Sequence, residues 1–572
     1  MKKKNEKKVE KKVTIQENDE TTKIAKLDVI LILIITLIYA IVSFINLGTF
    51  TNPQTFWKTE YAGDFVTFKI EQGKTDVSKI RYYTGTDFGD YDLYVSYDGI
   101  NYSEPLRIST EKVFAWGDFG LTGNFEYVKL VGTRKGIYLG ELAIYDVAGN
   151  KLNLMPIDEN SKLILDEQDT VPEEISYLNS TYFDEIYFAR TAYEHQHNLP
   201  IYEWTHPPLG KLLMMIPMLF MGMTTFAYRL MGNIAGILMI PSIYIFAKML
   251  FKNRRYAVLA AIIMAADGMH FVQTRLGTAD GFLVLFIILE YLFMYKYIIS
   301  EDKPLKKKLW YLFFSGLFMG AAIATKWTGV FAAIGLALVF FFNMAIKIFV
   351  EKKKWTKDNT IIIASCFGFF IAVPLVIYFL SYIPYYIVEN AYIKDLKTFI
   401  EWQQQMYNYH HDLVATHPYS SMWYTWPITK QSILYWVGVT NEGAITRIAL
   451  LGNPAIWWFS IPCMIFTVIA AIKTRKFEYW FLIIPIVSMM ISYVGIDRIM
   501  FLYHYFPVLP FVMLTIVAFM KWLCEKTKTD VFIYIFVAII VIVFIQFYPI
   551  YSGFPTSIKY INELKWLKTW IW

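Results

Sequence analysis

The chain has few charged residues for its length. Asp, Glu, Lys and Arg make up only 18% of its 572 residues, whereas 56% are hydrophobic and the mean hydropathy is +0.37. This balance excludes an ordinary soluble enzyme and predicts a polytopic α-helical membrane protein. Cysteine is also scarce, and its wide spacing within or beside apolar segments predicts neither a disulfide framework nor a thiolate metal site. The three cysteines are Cys366, Cys463 and Cys524.

Positive charge exceeds negative charge by six, but the excess lies in short basic runs between apolar segments. Runs of this kind do not build a nucleic-acid-binding face, so we expect no nucleic acid partner. They are typical of the cytoplasmic connections of a membrane protein.

About eleven apolar segments approach the ~20 residues that a membrane-spanning helix needs. The first, at 27–49, follows a Lys-rich tail at 1–26 and is too long for the apolar core of a signal peptide. The other spans are predicted near 225–250, 255–273, 280–299, 309–324, 327–349, 358–383, 455–472, 477–494, 499–521 and 531–550. Five basic connections then fall on the side of the N-terminus, which the positive-inside rule assigns to the cytoplasm.

The same rule divides the chain into membrane and outer-face parts. The membrane parts are the first span and the blocks 225–383 and 455–550. The outer-face parts are an insert at 51–165, a segment at 169–224, a long loop at 384–454 and a C-terminal tail at 551–572.

The insert has the pattern of a soluble all-β domain. Apolar residues alternate along 66–70 and 93–97, and the second run ends in Asp98-Gly99, a strong hairpin signal. The succession resembles discoidin-like, galactose-binding-like jelly-roll domains. Exposed aromatics could stack on a glycan ligand, and the alternative is a structural cap whose aromatics form its core. The candidate stacking residues are Tyr82, Tyr83 and Trp116.

The stretch 183–211 concentrates acidic, basic and imidazole side chains among aromatics, just before an apolar segment. Asp184 and Glu185 are adjacent, and on a helix they would diverge by about 100°. They would therefore not face each other like the two carboxylates of a glycoside hydrolase. One carboxylate base suffices when the leaving group is a lipid-linked phosphate, because that group departs without an acid.

Four cations lie near the predicted outer ends of spans, where they could stabilise a leaving phosphate. The alternative for each is a role as an interfacial anchor. Lys326 stands between two short spans, and a charge there costs about 2.5 to 3.5 kcal/mol unless it is paired or reaches water. We expect it to point into an outer-face cavity or to snorkel to the headgroups. The four are Arg229, Arg275, Lys326 and Arg498.

Seven motifs occur in an order that resembles the protein O-mannosyltransferase family, polytopic enzymes of the GT-C class. They are FDEIYFARTA, HPPLGKLL, FAYRL, TRLGTAD, ATKWTGVFA, HPYSSMWYTWP and DRIMFLYHYFP. The resemblance implies a GT-C architecture and transfer of mannose from a polyprenyl-phosphate donor to Ser or Thr hydroxyls of translocated proteins, with inversion at the anomeric carbon.

The resemblance also implies roles for individual residues. Asp184 would be the general base and Glu185 its essential neighbour. The remaining matches would bind the donor phosphate or another part of the substrates. They are Arg229, Arg275, Lys326, Arg498, His206, Asp280, His504, His417 and Trp423.

Two departures from the family bear on the acceptor. The loop 384–454 is too short for the β-trefoil module of eukaryotic members, and the β insert is an addition. We therefore expect a bacterial cell-membrane enzyme acting on secreted or membrane proteins. One alternative is a GT-C transferase that moves another lipid-linked sugar to an envelope lipid or glycan. A transporter with a glycan-binding domain is a further alternative, although charges gather at one face rather than at the midplane.

No cofactor is expected. The group His410, His411, Asp412 and His417 could in principle hold a divalent metal, but its spacing fits no metal signature. The aromatic run 423–426 suits either a membrane-interface belt or a sugar platform.

Overall fold

The computed structural model describes residues 22–388 and 391–572. Most of the predicted tail at 1–26 lies outside these residues. The helices are α1 Lys26–Phe44, α2 Glu159–Lys162, α3 Glu185–His197, α4 Leu209–Met221, α5 Thr225–Phe251, α6 Arg254–Ala265, α7 Gly268–Arg275, α8 Asp280–Ile298, α9 Leu305–Thr325, α10 Gly329–Ala345, α11 Lys357–Phe367, α12 Val373–Ser381, α13 Ile383–Ile387, α14 Leu396–Asp412, α15 Pro454–Thr474, α16 Phe477–Ile491, α17 Leu509–Thr527, α18 Val531–Ser552 and α19 Ile558–Glu563.

The membrane part is helical throughout. Eight helical stretches in the described residues are long and apolar enough to cross a bilayer, or nine if the bent pair α6 and α7 is one span. The predicted polytopic helical fold is confirmed, whereas length and composition do not fix the count at eleven. The helix α16 has only 15 residues, and α17 carries several charges near its end.

Two predicted spans differ from simple helices. The segment 255–273 bends by 56° between α6 and α7. The carboxylate of Asp267 caps α7 by accepting from the amide of His270 at 3.0 Å, so a new helix begins there. The segment 499–521 begins with a 3-10 turn at Leu502–Tyr505, and its helix starts only at Leu509.

The insert is an antiparallel β-sandwich, which confirms the predicted β domain. The strands are β1 Trp57–Lys58, β2 Phe65–Ile70, β3 Thr75–Thr84, β4 Asp90–Ser96, β5 Leu106–Ser109, β6 Trp116–Phe125, β7 Tyr127–Gly132, β8 Tyr138–Asp146 and β9 Leu154–Pro156. One sheet has the order β1-β8-β3-β6 and the other β5-β4-β7-β2-β9, with a shared apolar core between them. A separate hairpin, β10 Ile433–Val439 and β11 Ile445–Leu450, lies in the long loop.

The sandwich packs directly on the helical body. Its aromatics share one buried cluster with α3, α4 and α5, which we call the docking cluster and which includes Tyr83, Val113, Phe114, Trp116, Phe188, Ala189, Met214 and Met218. The prediction that the three candidate stacking aromatics of the insert are exposed is therefore wrong for two of them. Tyr83 and Trp116 are only 1% and 3% exposed because they fill this interface, and Tyr82 is half-buried.

We predict that Trp116→Ala destabilises the protein by about 3 to 5 kcal/mol, the usual cost of removing a large buried aromatic. Thermal unfolding in detergent measures the loss, and limited proteolysis between 166 and 184 reports separation of the sandwich. The control is Ile100→Ala, because Ile100 is 80% exposed at a hairpin tip. Equal unfolding temperatures for the two variants would contradict the docking role.

Candidate active site

A polar cavity of about 640 Å³ lies at one end of the helical body. Its walls come from the start of α3, the loop before α4, the turn after α9, the end of α14 and the segment before α17. The lining residues are Asp184, Tyr187, Phe188, Tyr202, Glu203, Trp204, Thr205, His206, Lys326, Tyr409, His410, Leu413, Arg498, Ile499, Phe501, Tyr503 and His504.

Asp184 stands at the N-cap of α3, with its carboxylate on the cavity. Its backbone carbonyl accepts from the amide of Phe188 at 3.1 Å, but its side chain does not cap the helix. Among the described residues no donor hydrogen-bonds to this carboxylate. Burial raises the pKa of Asp184 to about 7, although the nearby Lys326 ammonium acts against the shift. Near neutral pH the group is therefore poised to exchange a proton.

Glu185 points the other way, as expected for consecutive residues on a helix. It is fully buried, and its two oxygens accept from Nε and Nη2 of Arg229, each at 2.7 Å. The Tyr228 hydroxyl and the Gly277 amide also donate to it, at 3.3 and 2.9 Å. This carboxylate has no free face towards the cavity. It positions the start of α3 instead of meeting substrate.

The guanidinium of Arg229 is equally occupied. Besides Glu185 it donates to the backbone carbonyls of Leu47, Tyr177 and Ser180 at 2.8 to 3.2 Å. Its side chain is 1% exposed. This placement corrects the expectation that Arg229 binds the donor phosphate, because every direction of its donors is already filled.

Arg275 also lies away from the cavity. Its Nε donates to the carbonyl of Ser43 at 3.0 Å, and its Nη2 donates to those of Ile45 and Asn46 at 2.6 and 2.8 Å. These carbonyls lie at and just beyond the C-terminal end of α1, where a cation is stabilising. The expected phosphate contact is corrected here too.

Lys326 does line the cavity, and Asp280 lies behind it. The ammonium donates to Asp280 at 2.9 Å and lies 5.3 Å from the centre of the Tyr503 ring. The second oxygen of Asp280 accepts from Gln273 at 3.1 Å. Asp280 therefore holds the lysine in place. Of the two expectations for Lys326, a position in an outer-face cavity fits this structure better than snorkelling to the headgroups.

A second buried network surrounds Glu203, which the sequence analysis missed. Lys211 and the hydroxyl of Thr205 donate to its carboxylate, and His206 Nδ1 lies 3.0 Å from it. Burial alone would raise the pKa of Glu203, but Lys211 and His206 hold it well below its usual range. Because an ionised carboxylate only accepts, His206, which also lines the cavity, carries its proton on Nδ1, and Nε2 is its acceptor nitrogen.

Arg498 is held at the cavity by a hydrogen bond to His410. His410 Nε2 lies 2.6 Å from the carbonyl of Thr205 and must donate to it, so Nδ1 is the acceptor for Arg498 at 2.8 Å. Burial lowers the pKa of His410 to about 4, and the nearby Arg498 guanidinium acts in the same direction. Both ring nitrogens are engaged, so this histidine is not free to ligate a metal. In the sequence, the three-residue spacing between Glu203 and His206 is the signal that could have identified the buried network around Glu203.

Of the other predicted residues, one lines the cavity and two do not. His504 lines the cavity, and its Nδ1 contacts the Phe501 backbone at 3.0 Å. His417 is exposed and contacts the wall residue Phe501, with ring centres 5.3 Å apart. Trp423 is half-buried and does not line the cavity. In the described residues no group with metal-ligand geometry lines this cavity, and the expected absence of a cofactor stays a prediction.

Two family models match the chain. Residues 172–387 match the model described as dolichyl-phosphate-mannose-protein mannosyltransferase. Residues 395–570 match the C-terminal four TMM region of protein-O-mannosyltransferase. Together they span about two thirds of the chain, and the β insert lies outside both.

Similar proteins carry related names. The polyprenol-phosphate-mannose protein mannosyltransferase of Mycolicibacterium smegmatis is 22% identical over 452 residues, which cover 68% of this chain and 87% of that protein. The Corynebacterium glutamicum protein of the same name is 24% identical, with 64% and 81% covered. The solved Saccharomyces cerevisiae Pmt1-Pmt2 complex bound to the sugar donor has a TM-score of 0.59 at 14% identity, over 68% of this chain and 89% of that one.

The helical body shares its fold with that solved complex and has the architecture of the GT-C class. The chain belongs to the protein O-mannosyltransferase family and is a membrane glycosyltransferase.

We predict that Glu185→Gln lowers the free energy of unfolding by about 3 to 5 kcal/mol, because it leaves the buried Arg229 charge uncompensated. The matched control is Asp184→Asn, which changes the neighbouring carboxylate to an amide of the same shape. Asp184 has no hydrogen-bonded partner in the described residues, so this control should unfold at or slightly above the wild-type temperature. An unchanged unfolding temperature for Glu185→Gln would refute the positioning role.

Proposed function

We propose that the protein transfers mannose from polyprenyl-phosphate-mannose to Ser or Thr hydroxyls of translocated proteins, with inversion. The observation that carries the proposal is Asp184, a half-buried carboxylate without a hydrogen-bonded partner, in the same cavity as the cations Lys326 and Arg498. The names of the relatives support the donor and the acceptor class.

In the proposed reaction the acceptor oxygen attacks the anomeric carbon of mannose from the face opposite the phosphate. Asp184 removes the hydroxyl proton as the new C–O bond forms and the old C–O bond to phosphate breaks. The leaving polyprenyl phosphate keeps the bonding electron pair, and its charge develops beside Lys326 and Arg498. A single displacement of this kind inverts the anomeric configuration.

The remaining cavity residues take supporting roles in this proposal. Asp280 fixes the lysine ammonium, and His410 orients the guanidinium of Arg498. His206 presents an acceptor nitrogen to a sugar or acceptor hydroxyl. Spans that face lipid beside the cavity would hold the polyprenyl chain. No cofactor or metal is needed, because the phosphate leaves without Lewis-acid assistance.

We further propose a bacterial plasma membrane location, with the N-terminus in the cytoplasm and the cavity outside. The five basic connections on the opposite face from the cavity support this orientation. One alternative keeps the chemistry but changes the substrates, with another lipid-linked sugar moved to an envelope lipid or glycan. The β insert, which both family models leave out, is the feature that favours a different acceptor.

We predict that Asp184→Asn lowers mannose transfer by about 10²- to 10⁴-fold, the usual contribution of a positioned base. The measurement is radiolabel transfer from polyprenyl-phosphate-mannose to secreted proteins in membranes with matched protein abundance. Asp412→Asn is the control, since Asp412 is exposed outside the cavity. Equal labelling by Asp184→Asn and wild type would remove Asp184 as the base, and no labelling by wild type would redirect the search to other sugars.

We predict that kcat/KM of the wild type rises with pH and reaches half its plateau near pH 7. Only the ionised carboxylate accepts a proton, so activity is lost as the pH falls through the raised pKa of Asp184. Lys326 holds that pKa down, so Lys326→Met should move the midpoint to higher pH, besides lowering the plateau. Lys326→Arg keeps the charge and should keep the midpoint. A midpoint that is the same in all three proteins would contradict Asp184 as the titrating group.

A further inference from the structure

A second polar cavity lies on the opposite face of the helical body from the candidate active site. Helix α8 begins with Asp280, whose side chain binds Lys326 of the active-site cavity, and ends at Ile298, about 27 Å further along. Near that far end is a cavity of about 430 Å³. Its polar lining is dominated by four lysines and one glutamate, Lys308, Lys347, Lys353, Lys354 and Glu301.

An apolar cavity of about 480 Å³ continues along the same helices. Helix α8 supplies Met294 to the apolar cavity and, one turn later, Tyr297 to the polar one. Helix α10 also lines both cavities, with Phe341 in the apolar one and Met344 one turn later in the polar one. Helix α11 lines both through the consecutive residues Ile363 and Ile362. We call the two cavities together the lysine groove. It joins an apolar part within the membrane to a basic part at its surface.

Both π-helical segments of the described residues form walls of the lysine groove. The segment Ile346–Val350 contributes Lys347 to the basic part, and Gly368–Ala372 contributes Phe370 to the apolar part. A π turn is rare and appears frequently at functional sites. The widened turns therefore point to this groove independently of its charge.

The charges of the basic part are not balanced. Glu301 pairs with Lys347 at 2.7 Å and with Lys353 at 2.6 Å, and Glu351 also pairs with Lys353 at 2.9 Å. Lys308 and Lys354 form no ion pair with any described residue. The basic part thus has a surplus of positive charge, which complements a phosphate. The apolar part is lined by aliphatic, aromatic and Met side chains, with the Cys366 thiol as the one weak donor side chain among its lining residues, and it complements a hydrocarbon chain.

We propose that the lysine groove is a binding site for an anionic glycerophospholipid of the adjacent leaflet. The phosphate headgroup contacts Lys308 and Lys354, and an acyl chain lies between α10 and α11. The site is separate from the transfer reaction, because the far end of α8 is a full helix length from Asp184. The proposal therefore does not depend on the proposed function.

Native mass spectrometry of the purified full-length chain in a neutral detergent tests the proposal. The probes are phosphatidylglycerol and phosphatidylcholine with identical acyl chains. We expect phosphatidylglycerol to bind more tightly, and the double substitution Lys308→Gln with Lys354→Gln to weaken it by about 30-fold, since each lysine near a headgroup contributes. The matched control, Lys306→Gln with Lys307→Gln, removes the same charge beside the groove and should bind like wild type.

A second pair of variants tests the apolar part. Ala337→Trp fills it and should abolish phosphatidylglycerol binding, whereas Leu338→Trp, at a half-exposed neighbour outside the lining, should not. Glycerol phosphate, which has no chains, should not compete at concentrations where phosphatidylglycerol does. The proposal is overturned if phosphatidylcholine binds as tightly, if both lysine pairs weaken binding equally, if Ala337→Trp retains binding, or if glycerol phosphate competes as well.

Discussion

The ion pair between Glu185 and Arg229 is the interaction on which the site depends. Moving two charges out of water costs several kcal/mol per ion unless each is fully hydrogen-bonded. Here each is, because Arg229 also binds the carbonyls of Leu47, Tyr177 and Ser180. One guanidinium thereby joins the end of the first span, the segment before α3 and α3 itself. With Glu185 fixed inward, the helix geometry turns Asp184 outward to the cavity.

The charged groups around the cavity differ in whether a neighbour pairs with them, and this difference identifies the reactive group. Glu203 is paired with Lys211, Asp280 with Lys326, and Arg498 with the neutral His410. Each of these groups is therefore engaged by a partner. Asp184 alone among the cavity carboxylates lacks a hydrogen bond within the described residues, so burial raises its pKa even though the Lys326 ammonium acts against the shift.

The sequence predicted what local patterns determine. Apolar runs predicted the helices, because a bilayer forces backbone groups to pair within each segment. The helix period predicted that Asp184 and Glu185 diverge. Arg229 and Arg275 were misassigned because a cation near the end of a span looks the same whether it faces a cavity or binds backbone carbonyls. Only the tertiary path of residues 43–47 and 177–180 distinguishes these cases. Tyr83 and Trp116 were misassigned likewise, since strand alternation does not reveal docking.

The β insert is part of the scaffold of the site and not an appendage. Its two ends meet at the same place, since the amides of Gln54 and Thr55 donate to the Glu167 carboxylate at 2.7 and 2.9 Å. A module can therefore be inserted there without displacing the spans. The sandwich also contacts the segment that leads to Asp184, because Thr181 donates from its amide to Phe114 and from its hydroxyl to Val113. Removing the insert would expose the apolar face of α3. It would also remove the two hydrogen bonds that hold the segment leading to Asp184. The constraint on Asp184 thus comes from the membrane side through Arg229 and from the outer side through the sandwich.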